Sequence, residues 1–190
     1  MGEGLTGLRP GVREDFDRLY LATHPRLVRT LTGVLHDPAA AEDCAQEAFV
    51  RAWRAWPKWR PEAPAEAWLY RIALNVAFSY RRRLRVRQVA ERLLRAGAPA
   101  GPDPQRSVSP IRQALARLPP KEAAAVMLRH YHGYSRAEVA QILGLTERAV
   151  SLRLAKARAV LARELGEEWS ERELHPGARL GVARDEDAFG

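Results

Sequence analysis

The 190-residue chain is predicted to be all-α: two small helical domains joined by a flexible linker, the C-terminal one a helix-turn-helix. Three observations predict this. Apolar residues recur at helical spacing through most of residues 12–169, and no stretch alternates with the two-residue period of a strand. Residues 96–110, AGAPAGPDPQRSVSP, hold two Gly and four Pro and almost nothing apolar, the composition of a linker. Residues 134–165 then divide into a short capped helix, a glycine and a longer basic helix.

In chain order, the Gly-rich first ten or so residues are expected to be loose. Phe16, Leu19 and Tyr20, then Leu27, Val28, Leu31 and Leu35, mark two helices' worth of pattern, with a break expected at His24-Pro25. His36-Asp37-Pro38 reads as a turn, Asp37 capping the next helix and Pro38 at its first position. That helix, about 39–56, carries the apolar stripe Ala45, Phe49, Ala52, Trp53 and Trp56. Its acidic residues come early and its basic ones late, as the helix dipole favours. Glu47 and Arg51 form an i,i+4 pair worth a few tenths of a kcal/mol. Pro57, Pro61 and Pro64 exclude a continuous helix through PKWRPEAP. A helix resumes near Ala65 and runs past Leu84 into the basic run Arg81-Arg82-Arg83. Leu69, Ile72, Ala73, Val76 and Tyr80 face inward; Trp68, Arg71, Asn75, Ser79 and Arg82 share another face. After the linker, Ile111, Leu115 and Leu118 open the second domain, followed by a helix over 121–129.

In the helix-turn-helix, Ser135 caps the first helix and Glu138, three residues on, completes a capping box. Gly144 stands where a helix ends in a left-handed residue. Thr146 caps the second helix, with Glu147 and Arg148 in its first turn and Ser151, Arg153 and Lys156 following on its polar face. The second helix of such a unit enters the DNA major groove. An αα-hairpin with a merely solvated charged face shares this spacing, so the local pattern leaves both readings open.

Charge narrows the classes. The chain holds 31 Lys and Arg against 23 Asp and Glu, a balance suited to an acidic partner such as nucleic acid. The charge is uneven. Residues 57–95 carry 10 basic against 3 acidic side chains, whereas 166–190 carry 3 against 7 and read as a disordered acidic tail, 170–190. The single cysteine, Cys44, excludes an internal disulfide and fits the reducing cytoplasm. No run of 18 apolar residues exists, so no membrane span is expected, and the N-terminus lacks the apolar core of a secretion signal. Asp43 and Glu47 lack a histidine at ligand spacing, and His130 and His132 lack further ligands, so no metal is expected. No phosphate loop or nucleophile motif appears, so neither an enzyme nor a cofactor is expected.

The segment from Lys58 through Trp59 and Arg60 to Arg87 combines aromatics with arginines. Aromatics stack on unpaired bases and arginines follow phosphates, which suits single-stranded nucleic acid. Trp59 and Trp68 serve equally as core residues on sequence grounds. Asn75 sits mid-helix despite poor propensity and has the groups to engage a base edge.

These segments in this order, AAAEDCAQEAFVRAWRAWPKWR, AEAWLYRIALNVAFSYRRR and LPPKEAAAVMLRHYHGYSRAEVAQILGLTERAVSLRLAKARAVL, resemble a bacterial RNA polymerase sigma factor of the extracytoplasmic-function group. The resemblance covers about residues 16–165. It implies a non-enzymatic initiation factor that binds core RNA polymerase and promoter DNA, works in the cytoplasm and is held by an anti-sigma factor. It makes residues 12–95 sigma region 2, 96–110 the linker and 111–169 sigma region 4. Asp43, Gln46, Glu47 and Arg51 then look like the polymerase-docking surface. Lys58, Trp59, Arg60, Trp68, Arg71, Asn75, Ser79 and Arg82 look like the −10 contact. Ser135, Thr146, Glu147, Arg148, Ser151, Arg153 and Lys156 look like the −35 contact. Ser151 and Leu152 depart from the family's usual residues, so the −35 sequence does not transfer. Two promoter elements two helical turns apart lie about 70 Å from each other, and residues 85–110, fully extended, reach roughly 85 to 90 Å. Two other classes stay distinguishable by experiment: a regulator that works without polymerase, and a metal-dependent nuclease built on Asp43 and Glu47.

Overall fold

The computed structural model describes residues 5–61, 64–94 and 110–166. The linker and tail expectations lie almost wholly outside them. Seven helices are described: α1 Arg13–Leu35, α2 Pro38–Ala55, α3 Ala65–Leu94, α4 Pro110–Ala116, α5 Pro120–Val126, α6 Arg136–Leu143 and α7 Glu147–Leu165.

α1, α2 and α3 pack on one another as a first unit. Ala41, Ala45, Ala48 and Ala52 make a fully buried seam along α2, and side chains this small let α1 and α3 approach closely. The larger side chains come from those neighbours: Leu19, Leu27, Leu31 and Val34 on α1, Leu69, Tyr70 and Leu74 on α3. Asp37 accepts from the Ala40 amide at 3.1 Å with Pro38 inside the first turn, as the sequence indicates. A 3₁₀ turn over Trp56–Lys58 ends α2. There the fully buried Trp56 donates its Nε1–H to the Val12 carbonyl at 2.9 Å, tying down the start of α1.

α1 is one helix where two were expected. Pro25 lies within it on the solvent side. The carbonyl left without its donor belongs to Leu21, which is 74% exposed, so water can serve it. Leu19, Leu27 and Leu31, all fully buried, hold the helix on both sides of the proline.

The second unit joins α4, α5, α6 and α7 around Leu128, Val139, Val150 and Leu161. Ser135 and Glu138 make the reciprocal capping box, Gly144 adopts φ 65°, and Thr146 accepts from the Ala149 amide. α5 does not stop at Val126. It widens into a π turn over Met127–Tyr131, with the His132 amide bonded to the Met127 carbonyl at 3.1 Å.

The two units pack on each other: α1 and α3 of the first touch α4, α5 and α6 of the second. Their buried residues form a single cluster. At Gly33 a Cβ would stand 3.0 Å from the Met127 sulfur, so α1 presents a bare patch where α5 arrives. α3 stays helical to Leu94, so the extended reach to Pro110 is 16 residues, roughly 53 to 58 Å.

Candidate nucleic-acid interface

Three outward faces carry the residues singled out in the sequence. The first is on α2. Asp43, Gln46, Glu47 and Arg51 are all exposed, and Glu47 accepts from Arg51 Nε at 2.7 Å. Val50, 44% exposed, and Trp53, 45% exposed, lie among them. Trp53 was expected in the apolar stripe; its ring meets Phe16 edge-on at 5.1 Å and leaves the rest open. A charged row with two apolar members suits a protein partner better than a phosphate backbone. Cys44 beneath it is buried, and burial first, then Asp43, raises its thiol pKa.

The second face is on α3. Arg71, Asn75 and Arg82 are exposed, and Trp68 and Ser79 half-buried, on one side of the helix. Trp68 is backed by core rings, 6.1 Å from Trp56 and 6.5 Å from Trp59. Lys58 and Arg60, on either side of Trp59 in the chain, are exposed. Trp59 is placed differently from a free stacking platform: it is 8% exposed and lies parallel to Trp56 at 4.9 Å. Trp56 occupies one of its faces, so the ring belongs to the core. Arg82, Arg83, Arg85 and Arg87 follow, exposed and without an ion pair among the described residues. Cations at this density without ion pairs suit a phosphate backbone.

The third face is on α7. Glu147, Arg148, Leu152, Ala155 and Lys156 are exposed and Ser151 half-buried. Ser135 and Thr146 are engaged as helix caps. Arg153 turns the other way. Its guanidinium lies 3.5 Å from Glu122 of α5, with both side chains four-fifths covered. Sequence spacing put Arg153 on the polar face; the ion pair, formed across 31 positions of chain, carried no local signal.

Between the units lies a cavity of about 100 Å³ lined by Arg26, Glu66, His132, Gly133, Tyr134 and Glu138. Arg26 lies 3.2 Å from Glu66 and donates to His132 Nδ1 at 3.0 Å; Thr30 Oγ1 is 2.7 Å from His132 Nε2. Thr30 spends its own proton on the Arg26 carbonyl at 2.7 Å. Arginine can only donate, so Nδ1 accepts and the ring proton sits on Nε2. The ring is therefore neutral. Burial first, then Arg26, lowers its pKa to about 3. Tyr70 packs 4.4 Å from it, and its buried hydroxyl meets no protein partner. Sequence spacing admits His132 as a loop or core histidine and carries no signal for partners more than 100 positions away.

Among the described residues, no three His, Cys, Asp or Glu gather as a metal site, and no helix is long and apolar enough to cross a membrane.

Known proteins share both the pattern and the arrangement. The family described as Sigma-70 region 2 matches residues 19–87, and Sigma-70, region 4 matches residues 109–161. The ECF RNA polymerase sigma factor SigM of Mycobacterium tuberculosis is 34% identical over 165 residues, covering 82% of this chain and 80% of its own. SigL of the same species is 34% identical over 155 residues, covering 74% and 83%. Among solved structures, CnrH in complex with the cytosolic domain of CnrY has a TM-score of 0.61 at 27% identity, covering 83% of this chain and 92% of its own. The sigma factor RpoE of Bartonella quintana, solved with the anti-sigma factor NepR, shares the fold at TM-score 0.65 and 24% identity, covering 80% and 97%. With two sigma regions matched in order and relatives aligned along most of their length, the chain belongs to the ECF sigma factors, which direct RNA polymerase to promoters through regions 2 and 4.

Proposed function

We propose that the three faces divide the work of initiation and that the two regions part to do it. The α2 face around Asp43, Gln46, Glu47 and Arg51 docks on core polymerase, with Val50 and Trp53 as its apolar anchors. The α3 face captures bases of the melted −10 strand. Asn75 holds a base edge, Trp68 offers a ring, and Arg71, Arg82 and the arginines beyond follow the phosphates. Unstacking costs a few kcal/mol per base, offset by such contacts. The α7 face enters duplex at the −35 element through Arg148 and Lys156, with a salt-dependent affinity. Arg153 braces α7 against α5. The observation that carries this reading is the alignment of Trp68, Arg71, Asn75, Ser79 and Arg82 on one uncovered side of α3.

The packed arrangement fits the chain before it meets a promoter. Elements about 70 Å apart require the regions to separate; the stretch from Leu94 to Pro110 supplies roughly 53 to 58 Å of that when extended, and the remainder falls within the two helical units. A protein inhibitor would hold the packed form; CnrH was solved in complex with a second protein, the cytosolic domain of CnrY. The site of action is the cytoplasm, where core polymerase and DNA meet.

Asn75→Ala tests the −10 assignment. It is expected to bind core polymerase with unchanged affinity and to reduce promoter melting, read by permanganate reactivity of unpaired thymines, roughly tenfold or more. Normal melting with this variant would remove Asn75 from the site.

A further inference from the structure

We propose that Leu152 determines −35 specificity by reading the C5-methyl group of a thymine in the major groove. The proposal rests on α7 being the duplex-facing helix. In this motif the first turns of the second helix reach base edges. Their exposed residues here are Glu147, Arg148, Leu152, Ala155 and Lys156. Leu152 is 58% exposed and stands one helical turn from each of the two cations. It takes no part in the core, which α7 enters through Val150, Ala157 and Leu161, all fully buried.

A single exposed leucine on a protein surface needs no explanation. The position of this one does. When Arg148 and Lys156 draw the helix onto DNA, the side chain between them is stripped of water and has no hydrogen bond to offer. The edges of B-DNA's major groove are donors and acceptors except at the thymine methyl and the C5–H of cytosine, and of these two the methyl is the larger apolar surface. A donor or acceptor covered by Leu152 loses its water without a replacement, which is unfavourable. A methyl in the same place gains apolar contact. The residue therefore favours thymine and disfavours the bases with a polar group there. Arg153, next along the chain, cannot substitute, because Glu122 holds it at 3.5 Å on the other side of the helix.

The test uses holoenzyme assembled from core polymerase and the full chain. Promoters randomised across the −35 element are enriched by binding, and each thymine of the enriched element, on either strand, is then replaced singly by uracil. That exchange removes the methyl and leaves every hydrogen-bonding group in place. Wild type is expected to bind about three- to fivefold more weakly at one such position. Leu152→Ala is expected to bind the thymine promoter weaker by a similar factor and to be indifferent to uracil there. Leu152→Ser, which introduces a hydroxyl, is expected to lose the thymine preference on re-enrichment. Uracil sensitivity that persists unchanged in Leu152→Ala, or its absence at every thymine in wild type, overturns the assignment and leaves the proposed function standing. Failure of the holoenzyme to enrich any −35 element overturns both.

Discussion

Two arginines on α7 that look alike in the sequence have opposite surroundings. Arg148 is exposed and has no ion pair among the described residues, while Arg153 and Glu122 are four-fifths covered and face each other. Arg148→Ala should leave stability within about 0.5 kcal/mol of wild type and weaken −35 binding. Arg153→Ala should destabilise by about 1–3 kcal/mol, because it leaves Glu122 covered and unpaired. Denaturant unfolding paired with a duplex-binding titration separates the two. Trp59 teaches the same point. Its sequence context admits a core ring or a stacking platform, and the neighbour that decides is Trp56, parallel at 4.9 Å. Side chains whose role depends on one distant or bulky neighbour are the ones that local pattern misassigns.

Elements were more legible than residues. Asp37, Ser135, Gly144 and Thr146 act within four residues of themselves, so the signals that start and stop helices could be read directly. Pro25 misled because its usual effect assumes that the orphaned carbonyl goes unserved, whereas here Leu21 faces water. The π turn at Met127–Tyr131 has no sequence signature at all; it is the backbone's way of carrying His132 to α1. The alanine seam of α2 gives a prediction at this scale. Ala48 is fully buried between helices that approach across it, so Ala48→Leu should destabilise by about 1–3 kcal/mol. Chemical denaturation of the purified protein would show it, and an unchanged midpoint would mean that the seam is looser than the packing implies.

At the scale of the molecule, the contacts between regions escaped the sequence because His132 finds its partners 102 and 106 positions away. The same contacts make the packing sensitive to acid. The facing groups are Arg26 and Thr30 from α1, Glu66 and Tyr70 from α3, Tyr134 just before α6 and Glu138 within it. Packing requires a neutral ring, and the packed pKa is about 3 against an ordinary value near 6.5. The packed form thus has its full stability above pH 6.5 and loses it as pH falls toward 3. From pH 7.5 to pH 5 its equilibrium constant should fall roughly thirtyfold. His132→Gln should flatten that dependence. His36, whose pKa is also lowered, by burial and then by Arg81, supplies a residual slope.

The most direct measurement is the distance between regions before and after promoter binding. Spin labels at Leu21→Cys on α1 and Arg163→Cys on α7, in a Cys44→Ala background, report it by pulsed dipolar spectroscopy. A single short distance is expected in the free protein and one longer by tens of ångströms in the holoenzyme bound to its promoter. The same distance in both states would contradict that separation.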